Sequence, residues 1–271
     1  MLDAKWCCNP FDDNGLWFNS RWSEQSVMTQ LEIIVKLNAN NPWVIGVDLR
    51  NEIRPNIHFE KIFGENILDP IHTHYPTWNT GLESDWKAAA ERLGNLVLEN
   101  APDKLIIVQG IFVFQWSDVV ALLDRETDFS HLHFPQSLRG VGRSPIQLNI
   151  PNRIVYSAHD YSWHYNVNDW SKISYDTFKS WVDGDWGFVM NNYPVFMGEF
   201  GTSHDETGMT SIWFQYISRY IRETQVHWSW WEFAGVEFRE SGEENSFGVM
   251  NRYYTDFAFY PMIQKLQELM F

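Results

Sequence analysis

Only two cysteines occur in 271 residues, and they are neighbours, Cys7 and Cys8. A bridge between adjacent residues is strained, so no disulfide framework organises this chain, and cysteine usage leaves the compartment open. Basic residues are scarce as well: 20 Lys and Arg against 35 Asp and Glu give a net charge of −15. A surface this acidic repels phosphate backbones and anionic lipid, which argues against a nucleic-acid partner. No apolar run approaches the roughly 18 residues of a membrane span. Asp3, Asn9, Asp12, Asp13, Asn14 and Arg21 interrupt any signal-peptide h-region near the start. Also missing are an Asn-x-Ser/Thr acceptor, an internal repeat, a low-complexity tract and a Gly/Ser/Pro-rich linker. We therefore read residues 1–271 as one domain.

Aromatic residues, by contrast, are abundant: Trp 15, Tyr 11 and Phe 19, or 17% of the chain. Most of the phenylalanines fit a well-filled core. Tryptophan is large and amphipathic, and its flat face suits the C–H face of a sugar ring, so the composition admits a Trp-lined cleft.

Short apolar β-rich runs alternate with helical patterns. Residues 43–49, 105–109, 153–157, 194–198 and 226–230 read as strands buried on both faces. Helices are expected over 23–38 with Ser23 as cap, over 84–100, over 208–224, and from Pro261 onward. In 84–100 the buried face should be Trp86, Ala89, Ala90, Leu93, Leu96 and Val97, and in 208–224 it should be Trp213, Tyr216, Ile217 and Tyr220. Segments 53–83 and 125–152 are long and irregular, as loops that shape a site are. Strand–helix alternation implies right-handed crossovers and a parallel sheet. No glycine-rich phosphate fingerprint follows a strand, which disfavours a nucleotide-binding open sheet and leaves the (β/α)8 barrel. Five strands are countable where a closed barrel has eight.

In such a barrel, catalytic groups stand at the C-terminal strand ends. There the sequence offers Arg50, Asn51 and Glu52 after the first run, His159 and Tyr161 after the third, Glu199 after the fourth and Trp231 after the fifth. A lone glutamate at a strand end is more often an ion-pair partner than a catalyst. Two of them suit glycoside hydrolysis, in which a carboxylic acid protonates the leaving oxygen and a carboxylate about 5–5.5 Å away attacks the sugar carbon. A partly desolvated glutamate retains its proton for the acid role, and an ionised one needs hydrogen-bond donors such as Tyr161 and His159. Asn51 can donate to a sugar hydroxyl, and Trp231 can form the floor beneath a ring.

Four segments, in order, resemble glycoside hydrolase family 5, the cellulase-like clan of retaining β-glycosidases. Val44–Glu52 looks like the family's acid/base strand, which ends in Asn-Glu. Tyr156–Tyr161 matches its His-x-Tyr strand, Pro194–Gly201 its nucleophile strand, and Trp228–Gly235 its last strand with the reactive-subsite Trp. Trp6-Cys7-Cys8 followed by Asn14-Gly15 looks like the loop after the third strand in plant and fungal members. The resemblance implies Glu52 as acid/base and Glu199 as nucleophile. Asn51 would hold the 2-hydroxyl, His159 and Tyr161 would position the nucleophile, and Trp231 would stack on the sugar. It also implies an oligo- or polysaccharide substrate, no metal or organic cofactor, and a secreted setting. The usual Asn-Glu-Pro reads Asn51-Glu52-Ile53 here.

The resemblance begins after the family's third strand. It therefore implies a truncated barrel with the equivalents of strands 4–8, lacking roughly 90 residues and the family's second-strand Arg and third-strand His. Such a remnant should expose apolar surface and strand edges. The alternative reading is a weak or inactive carbohydrate-binding remnant of the same fold. Among other features, His72 with His74 and His131 with His133 have metal-ligand spacing but no clear third ligand. The Glu240, Glu243 and Glu244 run reads as a solvated loop. Trp17, Trp78, Trp116 and Trp163 lie near rim loops. Trp17 and Trp163 have the more polar neighbours, Asn14, His164 and Asn166, and are the candidates for distal sugar stacking.

Overall fold

The computed structural model describes residues 14–54, 75–112, 136–165, 167–235 and 247–270. Cys7, Cys8, Trp116, the two His-x-His pairs and the acidic run at 240–244 lie outside them. Two compact units are delimited, one of residues 1–157 with 189–194, the other of 158–188 with 195–271.

The first unit starts from helix α1 (Glu24–Asn38), which opens as its sequence dictates. The Ser23 hydroxyl accepts the Ser26 N–H, and Glu24 sits in the first turn, where the helix dipole favours an anion. Strand β1 (Gly46–Asp48) follows, then helix α2 (Trp86–Asn100) and strand β2 (Leu105–Gln109), the latter parallel to β1. A two-stranded antiparallel ribbon, β3 (Ile111–Phe112) with β4 (Gln136–Ser137), comes next. Strand β5 (Ile154–Asp160) runs parallel to β2 and leaves the unit after Ser157.

The face of α2 is buried much as its periodicity requires, with Trp86, Ala89, Ala90, Leu93 and Val97 fully covered. Leu98 is buried as well, and the expected Leu96 is only half-buried. Helix α1 is covered far less. Val35 is covered, but Ile33, Ile34 and Leu37 are exposed, as are Trp43 and Ile45 beside β1. Apolar surface is thus open at the edge strand of this unit.

Helix α3 (Tyr175–Asp185) begins the second unit's helical layer, capped by Ser174, whose hydroxyl accepts the Thr177 N–H. It was not expected from the sequence. Strand β6 (Val195–Phe200) follows, then helices α4 (Glu206–Thr210) and α5 (Ile212–Thr224), strand β7 (His227–Trp230) parallel to β6, and helix α6 (Tyr260–Gln267). The single helix expected over 208–224 is two, because Ser211 ends α4 and turns its hydroxyl to the Phe214 N–H to start α5. Trp213, Phe214, Ile217, Tyr220 and Ile221 form the covered face of α5. In the first unit the strand order is β1-β2-β5, all parallel, and in the second β6 lies beside β7. Parallel strands in chain order, with a helix before β2 and helices after β5 and β6, have the pattern of βα units of a (β/α)8 barrel. No helix among the described residues is long and apolar enough to cross a membrane.

The start of α2 shows how the first unit is pinned. Asp85 accepts N–H groups from Asn79 at 2.9 Å, from Thr80 and Gly81 at 2.8 Å each, and from Ala88 at 3.3 Å. Burial alone would raise this carboxyl; the four amides outweigh it and hold its pKa below the ordinary value. Its stabilisation is therefore present above the ordinary carboxylate range and fades as pH falls through the depressed native value. We predict that Asp85→Ala lowers the unfolding free energy by about 1–3 kcal/mol at neutral pH. Urea unfolding should show this loss shrinking as the buffer is acidified.

Candidate active site

In the second unit, the end of β5 places alternate side chains on opposite faces. His159 faces one way, and its Nδ1 lies 3.4 Å from Glu199 Oε2. The next residue but one, Tyr161, donates its hydroxyl to the same oxygen at 2.9 Å. Both residues are almost fully buried, and the Glu199 side chain keeps 16% exposure. A carboxylate that accepts a phenolic proton at this distance is favoured in its ionised form.

Glu199 is aimed by an irregularity. Between β6 and β7, Met197 pairs with Trp228 and Phe200 with Trp230, so two residues on one strand, Gly198 and Glu199, meet one on the other, Ser229. The extra residue of such a bulge re-aims a side chain. The Ser229 hydroxyl donates to the Gly198 carbonyl across it. Gly201 follows because a Cβ there would come within 2.3 Å of the Trp231 carbonyl oxygen. That close approach keeps the Trp231 N–H on the Phe200 carbonyl at 2.9 Å. Trp231 itself is 45% exposed, which leaves much of its ring open to a ligand.

Trp163 stacks on Tyr161, with centroids 4.3 Å apart and planes 12° from parallel, and it remains 40% exposed. It therefore both braces Tyr161 and shows a face to solvent. Trp17 does neither. It is 0% exposed, its ring packs against Trp86 with centroids 5.2 Å apart, and its indole N–H is spent on Glu24 at 2.7 Å. This corrects the expectation that Trp17 stacks on sugar. Its polar neighbour Asn14 is itself buried, so neighbouring polarity was a poor guide to exposure. Trp78 donates to the Ser144 carbonyl at 2.8 Å and is half-buried.

The other face of β5 carries Asp160, which sequence reasoning passed over. It is 1% exposed and accepts Tyr165 Oη at 2.5 Å, Trp186 Nε1 at 3.2 Å and Trp213 Nε1 at 3.3 Å. Burial dominates and pushes its pKa up to about 7, although the three donors favour the anion. Much of the aromatic surplus in the composition is this packing. Tyr165 stacks on Trp181, Trp186 packs edge-on to Tyr220, and Phe200 does the same with Trp228 and Trp230.

In the first unit, Asn51 and Glu52 follow β1 as the sequence reading required. Glu52 has φ +45°, a left-handed conformation that L residues with side chains seldom adopt. Its N–H donates to Gln109 Oε1 at 2.7 Å. Arg50 anchors the neighbouring segment: its guanidinium donates through Nε to the Leu16 carbonyl at 3.1 Å and through Nη2 to that of Asn14 at 2.5 Å.

A (β/α)8-type chain with glutamates after two strands and a His-x-Tyr pair serving one of them has the layout of a barrel glycosidase. The comparisons agree. The family model Cellulase (glycosyl hydrolase family 5) matches residues 13–235, and the chain belongs to that family. An endoglucanase of Paenibacillus polymyxa is 29% identical over 225 residues, covering 80% of this chain and 49% of that protein. A glycosyl hydrolase 5 family protein of Chamaecyparis obtusa is 25% identical over 282 residues, covering 98% of this chain and 42% of its own length. The chain thus spans half or less of these curated relatives. Among solved structures, a hyperthermophilic endocellulase from Pyrococcus horikoshii aligns with TM-score 0.71 at 23% identity, over 95% of this chain and 66% of that one. The catalytic domain of the major endoglucanase from Xanthomonas campestris aligns with TM-score 0.69 at 23% identity, over 94% and 65%. These two likenesses show the fold.

A test of the buried carboxyl follows from its raised pKa. The native state holds the Asp160 proton up to about pH 7, whereas an unfolded aspartate loses it near 3.8. Its contribution to stability is therefore full below about 4 and is lost as pH rises toward 7. Asp160→Asn should remove that part of the slope in thermal unfolding measured across this range. The variant should also be less stable, by about 1–3 kcal/mol, because an amide nitrogen would face indole N–H groups.

Proposed function

We propose that this chain is a retaining glycoside hydrolase that cleaves β-linked glucans by double displacement. The observation that carries the reading is Glu199 Oε2, which accepts the Tyr161 hydroxyl at 2.9 Å beside His159 Nδ1. A hydroxyl donated to a carboxylate favours its ionised form, the form a nucleophile needs. In the first step Glu199 attacks the anomeric carbon. The bond to the leaving oxygen breaks, and that oxygen takes the proton of Glu52. In the second step Glu52 removes a proton from water, the water oxygen attacks the same carbon, and the ester to Glu199 breaks. Two inversions return the starting anomeric configuration.

The remaining residues take supporting roles in this reading. Asn51 donates to the sugar 2-hydroxyl, Trp231 lies under the ring, and Trp163 offers its open face to a more distant sugar. The substrate class rests on the relatives, which are named endoglucanases. One of them, from Xanthomonas campestris, is named a major extracellular endoglucanase, and an extracellular setting is proposed for this chain by the same likeness.

Proton NMR of fresh cello-oligosaccharide digests tests the stereochemistry. The β-anomer should appear first and then mutarotate. An α-anomer appearing first would overturn the double displacement. Glu199→Gln should lower kcat by about 10³-fold or more, because an amide cannot form the glycosyl ester. Unchanged hydrolysis in that variant would remove Glu199 from the mechanism. Retained oligosaccharide binding with no turnover by the unmodified chain would favour the binding-remnant reading.

A further inference from the structure

Gln109, the last residue of β2, is 1% exposed and makes three side-chain hydrogen bonds within the first unit. Oε1 accepts the Glu52 N–H at 2.7 Å. Nε2 donates to Asp48 Oδ2 at 2.6 Å and to Asn51 Oδ1 at 3.3 Å. Its own carbonyl accepts the buried Trp86 indole N–H at 2.9 Å, which holds the backbone from behind.

These contacts fix orientations that are ordinarily ambiguous. A backbone N–H can only donate, so the Gln109 atom facing Glu52 must be the oxygen. The other atom is then the amide nitrogen, and it has two protons for two acceptors. The Asn51 atom it meets must in turn be Oδ1, which turns Asn51 Nδ2 toward the remaining donor role. The same glutamine holds Glu52 in its left-handed backbone state, φ +45°, by capturing the N–H that this conformation presents. One buried amide thus sets the angle of the carboxyl-bearing residue and the rotamer of the asparagine before it.

We propose that Gln109 is a positioning residue for Asn51 and Glu52, setting the proton-donor geometry of the glycosidase; this rests on the roles given to those two residues above. An acid displaced by about 1 Å can cost about 10²-fold in rate. The loss should fall more heavily on substrates whose leaving group needs a proton than on those whose leaving group does not.

The experiment compares unmodified chain, Gln109→Leu and Gln109→Glu on two cellobiosides, one with a 2,4-dinitrophenolate leaving group and one with an unactivated alcohol. Gln109→Leu should lose about 30- to 100-fold in kcat/KM on the unactivated substrate and at least about tenfold less on the dinitrophenyl substrate, the part common to both being lost through Asn51. Gln109→Glu keeps an acceptor for the Glu52 N–H but gives up the amide protons that meet Asp48 and Asn51, so it should restore only the part of the loss that runs through Glu52. Hydrogen exchange gives a readout without turnover: the Glu52 amide should exchange at least about tenfold faster in Gln109→Leu and near the unmodified rate in Gln109→Glu. Equal losses on both substrates would mean a merely structural role and would overturn the proposal, as would unchanged exchange at Glu52. If Gln109→Leu does not fold, the Gln109→Glu comparison and its exchange rate decide alone, since a glutamate that leaves the Glu52 amide unprotected also overturns it. Glu52→Ala with added azide separates the underlying reading. Failure of azide to restore turnover of the dinitrophenyl substrate as a glycosyl azide would remove Glu52 as acid/base, independently of what Gln109 does.

Discussion

A carboxylate among indole and phenol rings stays charged only if something donates to it. Here the Tyr161 hydroxyl does so, 2.9 Å from Glu199 Oε2, and the rest of the second unit is arranged around that bond. Three features make the bond possible. The bulge at Gly198 and Glu199 turns the side chain toward Tyr161. Trp163, stacked at 4.3 Å, holds the phenol flat, and Asp160 ties the back of β5 to the indoles of Trp186 and Trp213. Strand β5 therefore has polar commitments on both faces, which fixes its register more firmly than apolar packing alone would.

The first unit positions its glutamate by a different device. Glu52 is held through its backbone, whose left-handed conformation gives its N–H to the buried amide of Gln109. Side-chain donors suit a group that must stay ionised. A backbone clamp acts on the main chain of Glu52 instead, through the N–H that Gln109 accepts. The two glutamates are thus held by separate local chemistry, one through side-chain donors and one through its backbone N–H.

The parts of this arrangement that were legible in sequence were those written in short-range patterns. Apolar runs bounded by turn residues gave the five parallel strands, Ser23 and Pro261 marked helix starts, and the helix expected from residue 84 begins at Trp86. Helix α3 escaped notice because its apolar positions, Tyr175, Phe178 and Val182, sit among Asp176, Asp183, Gly184 and Asp185, which dilute the periodicity. Trp17 was misread because burial of an indole depends on a distant partner, Glu24, and not on the polarity of its neighbours. Gln109 and Asp160 were missed for a shared reason. A polar residue closing an apolar strand looks like the strand's wet end, and only the three-dimensional structure shows that its partners are buried with it. The bulge at Glu199 is invisible in the sequence, since register is a property of two strands.

The central claim is that Glu199 forms the covalent bond to sugar. A 2-deoxy-2-fluoro cellobioside with a dinitrophenolate leaving group slows breakdown of the glycosyl ester, so intact-mass spectrometry and peptide mapping can locate it. The account predicts one added fluoroglycosyl unit per chain, carried on the peptide containing Glu199. A label on another residue, or ongoing turnover of cellobiosides with no labelled species at all, would contradict it.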